Sequence, residues 1–267
     1  MVFDASRIFG ADESFDLRRI SKIVQSGKGC IAALSPLVVH EDNHQLVIYK
    51  PAGWLSQSDQ TKDLSVNEIF AAYLREKYAK PGNVFCAAVQ RLDRPAQGLM
   101  VLARTSKGAA RISEQIRLGQ FEKKYRVLTD KPLLAQDRVA KRIVLSADMR
   151  KVDRMARRVT GNGGEGGNKR GAERYLLTAR LVAEEKSTFH YEVEIEGGRF
   201  HQIRALFAAY GSPLLGDVKY GGKPLTHRRD MIALVASLLR YRHPTAARQQ
   251  LFTLDEASLR NLPGYFI

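Results

Sequence analysis

Cysteine is almost missing from this chain: its 267 residues include only Cys30 and Cys86. The two form no Cys-x-x-Cys pair, which excludes a zinc ribbon or knuckle. Two isolated thiols in a chain of this size read as reduced cytosolic cysteines and not as a disulfide framework. Long apolar runs are also missing. The longest, Met231 to Leu239, is too short to span a bilayer. The N-terminal segment carries Asp4, Asp12, Glu13 and Asp16 and has no apolar stretch, so it reads neither as a signal peptide nor as a transit peptide. The expectation is a cytoplasmic protein without membrane contact. Several enzyme signatures are lacking as well. There is no Gly-x-Ser-x-Gly, no His-Glu-x-x-His, no phosphate-cradling Gly-Lys-Ser/Thr loop and no deaminase His-x-Glu with Pro-Cys-x-x-Cys. Acidic residues are few, 28 Asp and Glu against 43 Lys and Arg, for a net charge of +15. That excess points to a polyanionic partner, most commonly nucleic acid.

A hydrophobic content of 44% is enough for a substantial core, and the length allows one large domain or two small ones. Ile20, Ile23 and Val24 mark a short helix broken by Gly27-Lys28-Gly29. Leu46 to Tyr49 is a strand stopped by Pro51-Ala52-Gly53. Ser65 and Glu68 form a capping box ahead of helically spaced Ile69, Phe70, Tyr73 and Leu74, which predicts a helix from about Ser65 to Lys80. Cys86 to Val89 and Leu99 to Ala103 read as strands. Thr105 or Ser106 caps a second helix with Ala109, Ile112 and Ile116 turned inward. Phe121 to Thr129, Arg174 to Leu181 and Thr188 to Glu196 read as strands, the last with Phe189, Tyr191, Val193 and Ile195 on one side. Phe200, Ile203, Phe207 and Tyr210 fall at helical spacing. Met231 to Arg240 and Gln250 to Leu254 are late strands. Strand-rich with few helices and no βαβ repeat, the pattern predicts an α+β fold on a mainly antiparallel sheet. The Gly-rich stretch 160–171 follows Arg150, Lys151, Arg154, Arg157 and Arg158 and precedes a strand. It reads as a mobile hairpin tip suited to RNA backbone.

Two segments carry the chemistry. In Val89-Gln90-Arg91-Leu92-Asp93-Arg94-Pro95 one acid, Asp93, lies between two arginines on a turn between strands. An acid beside an arginine is most often a surface ion pair, but functional groups gather on loops held by rigid elements. A nearby arginine favours the charged form of a carboxylate, which suits a nucleophile and not a general acid. The second segment is Gly197-Gly198-Arg199-Phe200-His201-Gln202-Ile203-Arg204. His201, without a Cys, Ser or carboxylate in local register, reads as structural or as an RNA contact. Tyr125 is either a base-stacking platform or a core tyrosine.

These residues resemble a known family. Arg91-Leu92-Asp93-Arg94 with Gly98-Leu99 resembles the Arg-Leu-Asp segment of the RluA-type RNA pseudouridine synthases. Lys50-Pro51-Ala52-Gly53 resembles their Lys-Pro-x-Gly motif, and Lys124-Tyr125 their Lys-Tyr strand motif. Gly198 to Arg204, Gly211-Ser212-Pro213-Leu214-Leu215-Gly216-Asp217 and Tyr220-Gly221 resemble their later signature. The resemblance implies an α+β pseudouridine synthase core, a mixed sheet with flanking helices and a central cleft, over residues 37–267, with 1–36 as an N-terminal extension. It implies Asp93 as the nucleophile, Tyr125 stacked on a flipped-out base and Arg204 paired with Asp93. Arg91 would displace the base and Ile203 would wall the pocket. Arg94, Lys124, Arg199 and His201 are the further candidates for RNA contact. The implied activity is isomerisation of specific uridines in structured RNA, ribosomal or transfer, by a monomer without metal or cofactor. The competing expectation is a non-catalytic RNA-binding protein or RNA chaperone on the same fold. The chain departs from the family pattern at Gln90, where His is usual, and in Pro95-Ala96-Gln97-Gly98, where Thr-Ser-Gly or Val-Ser-Gly is usual.

Overall fold

A computed structural model describes residues 1–5, 15–134, 142–159, 171–185, 187–226 and 228–260. Most of the Gly-rich stretch, together with Asp12 and Glu13, lies outside the described residues. In chain order the elements are β1 (Val2–Phe3), α1 (Leu17–Ser26), α2 (Cys30–Leu34), β2 (Val38–Glu41), β3 (Gln45–Lys50), α3 (Val66–Lys77), β4 (Ala87–Ala88), β5 (Gln97–Ala103) and α4 (Ser106–Arg117). There follow β6 (Glu122–Thr129), β7 (Arg142–Val152), β8 (Met155–Arg158), β9 (Glu173–Glu185), β10 (Thr188–Ile195), α5 (Gln202–Ala209), β11 (Leu234–Arg242), β12 (Gln249–Leu254) and α6 (Glu256–Arg260). The chain divides into two compact units, Met1–Lys123 with Val235–Ile267, and Lys124–Leu234. Among the described residues no helix is long and apolar enough to cross a membrane.

The first unit is built on a buried antiparallel strand pair and its neighbours. All six residues of β3 and all seven of β5 are buried, as near-continuous apolar runs require. They pair antiparallel from Gln45↔Ala103 to Lys50↔Gly98. On its other edge β5 pairs parallel with β11 at Val235↔Gln97 and Ala236↔Gly98. Gly98 is required there: at φ 119° an added Cβ would lie 2.4 Å from the Ala236 carbonyl oxygen. β12 adds antiparallel to β11, and β1 adds parallel to β12. The capping box of α3 forms as the sequence predicts, with Ser65 N–H donating to Glu68 at 2.8 Å. α4 starts at its expected cap, Thr105, which accepts from Gly108 N–H. Its inner face holds Ile112 and Gln115 in place of the expected Ile116. The Gln115 amide donates to the Arg242 carbonyl and accepts from Arg242 N–H, so a polar side chain is satisfied in the interior.

The second unit is an antiparallel sheet in the order β6-β10-β9-β7-β8. α5 packs on β7, β8 and β9. Along β6, Lys123, Tyr125 and Val127 are buried on one face. Along β10, Tyr191 and Val193 are buried while Phe189 and Ile195 of the same set are only partly covered, and the pairing with β9 shifts register between His190 and Tyr191, where β9 carries the extra residue Val182. The β7–β8 hairpin had no counterpart in the sequence reading, although Ile143, Leu145, Ala147 and Met149 alternate inward along β7. The fold is thus α+β, with mixed but mainly antiparallel pairing and few helices.

Candidate active site

The Asp93 turn in the first unit is clamped from beneath by three backbone grips. Ser56 Oγ donates to the Leu92 carbonyl at 2.6 Å and accepts from Leu92 N–H at 2.9 Å. Gly53 N–H donates to the Arg94 carbonyl at 2.8 Å. Ala96 N–H closes the turn onto the Asp93 carbonyl at 3.0 Å. Below them sits Lys50, fully buried, which donates through Nζ to the carbonyls of Pro51 (2.9 Å), Arg94 (3.3 Å) and Ala96 (2.8 Å). Burial pushes the Lys50 amine down to about 7. The Asp93 carboxylate opposes that shift by favouring the cation, and the Arg94 charge adds to it. The motif Lys50-Pro51-Ala52-Gly53 is therefore the floor of the Asp93 turn. This settles what Lys50 does locally, a point that sequence leaves open because a fully buried lysine is rare.

The two arginines beside Asp93 take different positions. Arg91 is exposed. Arg94 turns away along the surface: Nε donates to the Gly53 carbonyl at 3.0 Å and Nη2 reaches Asp63 at 2.7 Å. Asp93 itself is half-buried while Leu92 and Ala96 beside it are buried, and the hydrogen bonds of Ser56, Gly53 and Lys50 to this turn are made to its backbone atoms. Next to the turn, Gln90 Oε1 is buried without a hydrogen-bond partner.

The second unit carries the remaining predicted residues. Tyr125 is buried on the inner face of β6 at 6% exposure. Lys124, on the opposite face, forms ion pairs with Glu194 at 2.9 Å and Glu192 at 3.5 Å across to β10. Arg199 pairs with Glu173 at 3.0 Å, both about half exposed. Its N–H donates to Gln202 Oε1 (2.8 Å), and the Gln202 amide donates to the Leu176 carbonyl (2.6 Å), which fixes the start of α5. His201 precedes that helix in the left-handed region at φ 53°, stacks on Phe200 and shares a 2.9 Å hydrogen bond between Nδ1 and the Tyr220 hydroxyl. Ile203 is buried at 4% exposure.

Arg204 is the most constrained of these side chains. It is 4% exposed and grips Asp217 with a two-pronged fork, Nε to Oδ2 at 2.7 Å and Nη2 to Oδ1 at 2.8 Å. Its guanidinium lies 5.1 Å from the centre of the Tyr220 ring. The buried Arg204–Asp217 pair is a bond that sequence reasoning missed. The only sequence signal for it is the Gly216-Asp217 turn.

Comparisons with known proteins identify the family. The RNA pseudouridylate synthase family model matches residues 44–209, which include Asp93, Tyr125 and Arg204. The chain belongs to that family. Within it the chain is an RNA pseudouridine synthase of the RluA type. It is 27% identical to the ribosomal large subunit pseudouridine synthase D of Zymomonas mobilis over 82% of this chain and 68% of that protein. It is also 27% identical to the dual-specificity RNA pseudouridine synthase RluA of Pasteurella multocida, over 82% of this chain and 93% of that one. The structure of human RNA pseudouridylate synthase domain containing 4 shares the fold, with a TM-score of 0.63 at 20% identity over 89% of this chain and 95% of that one.

Proposed function

We propose that this chain isomerises specific uridines to pseudouridine in structured RNA, ribosomal or transfer, with Asp93 as nucleophile. In the reaction the bond from ribose C1′ to uracil N1 breaks, the uracil turns, and C1′ rejoins at C5. The C5 proton leaves to solvent and N1 gains one, so no redox partner or phosphate is consumed. Asp93 attacks the target nucleoside and is expelled when the carbon–carbon bond forms. On this reading Arg204 is the positively charged partner of Asp93, and Tyr125 stacks on the extruded base. Extrusion costs a few kcal/mol of stacking and pairing, which an aromatic platform and the Arg91 side chain offset. The net +15 charge supplies phosphate contacts and a steep salt dependence of binding.

The observation that carries this reading is the Asp93 turn. Ser56, Gly53 and Lys50 hold the backbone on both sides of one half-buried carboxylate and so fix where it sits. The names of the relatives point to ribosomal RNA first, since synthase D is named for the large ribosomal subunit. The test is tritium release from ribosomal and transfer RNA labelled at C5 of uridine. Wild type releases tritium and Asp93→Ala falls to background while retaining RNA binding. Equal release by both would reject Asp93 as nucleophile. Tight binding without release by wild type would favour the RNA-binding reading.

A further inference from the structure

The structure places around Arg204 a set of side chains for which the reaction above has no use. Asp217 and Tyr220 lie beyond residues 44–209 of the family match, in the segments that resemble the family's later signature. Asp217 is 1% exposed. Its carboxylate is spent on Arg204, both oxygens within 2.8 Å of guanidinium nitrogens. Its turn is tightly built: Asp217 N–H donates to the Leu214 carbonyl, while the Asp217 carbonyl accepts from Tyr220 N–H at 3.0 Å and from Gly222 N–H at 2.9 Å. Gly216, at φ 82°, brings the turn so close to the next segment that an added Cβ would lie 2.4 Å from the Met231 carbonyl oxygen. A carboxylate on such a turn has little freedom, and a bidentate fork passes that rigidity to the guanidinium.

Tyr220 holds the same guanidinium from another side. Its ring faces Arg204 at 5.1 Å. Its hydroxyl accepts from Ala156 N–H of β8 at 2.8 Å and meets His201 Nδ1 at 2.9 Å. His201 stacks on Phe200 with ring centres 3.9 Å apart, and Lys151 of β7 lies 4.7 Å over the Phe200 ring. One row of contacts thus runs from Arg204 through Tyr220 to β8 directly, and through His201 and Phe200 to Lys151. The β7–β8 hairpin at its far end is basic, with Arg150 opposite Arg157 in register and Lys151, Arg154 and Arg158 close by in sequence. Like charges set opposite each other on a hairpin oppose its formation, and a polyanion relieves that opposition.

Burying an ion pair is a poor way to gain stability and a good way to fix one geometry. We infer that Asp217 and Tyr220 are positioning residues for Arg204: Asp217 and the Tyr220 ring set where the guanidinium sits, and the Tyr220 hydroxyl ties it to the basic hairpin that holds RNA. The inference rests on the role proposed above for Arg204.

The test measures tritium release and RNA binding for Asp217→Asn, Tyr220→Phe and Tyr220→Leu, with circular dichroism to confirm folding. Asp217→Asn keeps the side-chain shape and removes the counter-charge. It lowers kcat by about ten- to a hundredfold and leaves the RNA dissociation constant within about twofold. Introduced into an Arg204→Lys background it adds little further loss, because it acts through the arginine. Tyr220→Phe keeps the ring and loses the hydroxyl, and raises KM about threefold. Tyr220→Leu loses the ring as well and adds a further kcat loss of about threefold or more. The inference is overturned by wild-type kcat in Asp217→Asn, by losses in kcat and RNA affinity that run in parallel, or by full additivity with Arg204→Lys. If Asp217→Asn does not fold, the Tyr220 pair decides: equal kcat in Phe and Leu variants overturns the inference. Failure of the uridine-isomerising reading looks different, since wild type itself then releases no tritium.

Discussion

The Asp93 turn and the Arg204 cluster hold their key groups by opposite means. Asp93 is fixed through the backbone on either side of it: Ser56 holds Leu92, Gly53 and Lys50 hold Arg94, and Ala96 closes the turn. Arg204 is fixed through its own charged group, by Asp217 and the Tyr220 ring. On the proposed mechanism the Asp93 turn draws its rigidity from the main chain, whereas Arg204 is held through its guanidinium, which Asp217 grips at Nε and Nη2. Backbone clamps predict damage to stability and activity together, and the side-chain clamp predicts a loss of rate that is not matched by a loss of RNA affinity.

The strongest way to break the backbone clamp is at Lys50. Lys50→Met keeps the apolar stem and removes the donor shared by three carbonyls. It should cost about 2–5 kcal/mol in chemical denaturation, since buried acceptors that lose a partner bear most of their desolvation penalty. The turnover number should fall with it. The same residue gives a pH signature. Its folded-state amine titrates at about 7 against an ordinary 10.5, because burial disfavours the cation. Between those values the unfolded chain holds a proton that the folded chain does not, so this residue makes stability rise with pH across the window. Wild type should therefore gain on Lys50→Met as pH rises from 7 towards 10.5. A flat difference would mean that the amine is not buried as described. Ser56→Ala removes one grip and should cost about 1–3 kcal/mol, with a smaller loss of rate. The smallest effect belongs to Arg199→Ala. Its partner Glu173 is as exposed as the arginine itself, and such pairs contribute about 0–1 kcal/mol. The melting temperature should hardly move, and any change should appear in RNA affinity and its salt dependence.

Much of this molecule is legible in sequence, for identifiable reasons. The capping box of α3, the Gly27 stop of α1 and the alternation of β6 are local signals, and the chain obeys them. The Asp93 turn is legible because its residues are contiguous. The Arg204–Asp217 pair is not, since it joins residues 13 apart through a turn whose course depends on contacts with Met231. β7 is hard to see in sequence because its outer face mixes Arg142, Val144, Ser146, Asp148 and Arg150, although its inner face alternates cleanly. In β10 the alternation marks the face but not the depth: Tyr191 and Val193 are buried while Phe189 and Ile195 are only partly covered. Lys50 is illegible for the opposite reason: its chemistry is visible, but burial of an amine is decided by the three carbonyls that surround it.

The central claim is that one clamped carboxylate, Asp93, converts uridine to pseudouridine. The most direct measurement is nucleoside analysis of ribosomal and transfer RNA after incubation with wild type and with Asp93→Asn, which preserves the shape of the turn. The account predicts a stoichiometric loss of uridine and gain of pseudouridine at defined positions with wild type, and none with Asp93→Asn under matched RNA binding. Pseudouridine formation by Asp93→Asn at the wild-type rate would contradict it.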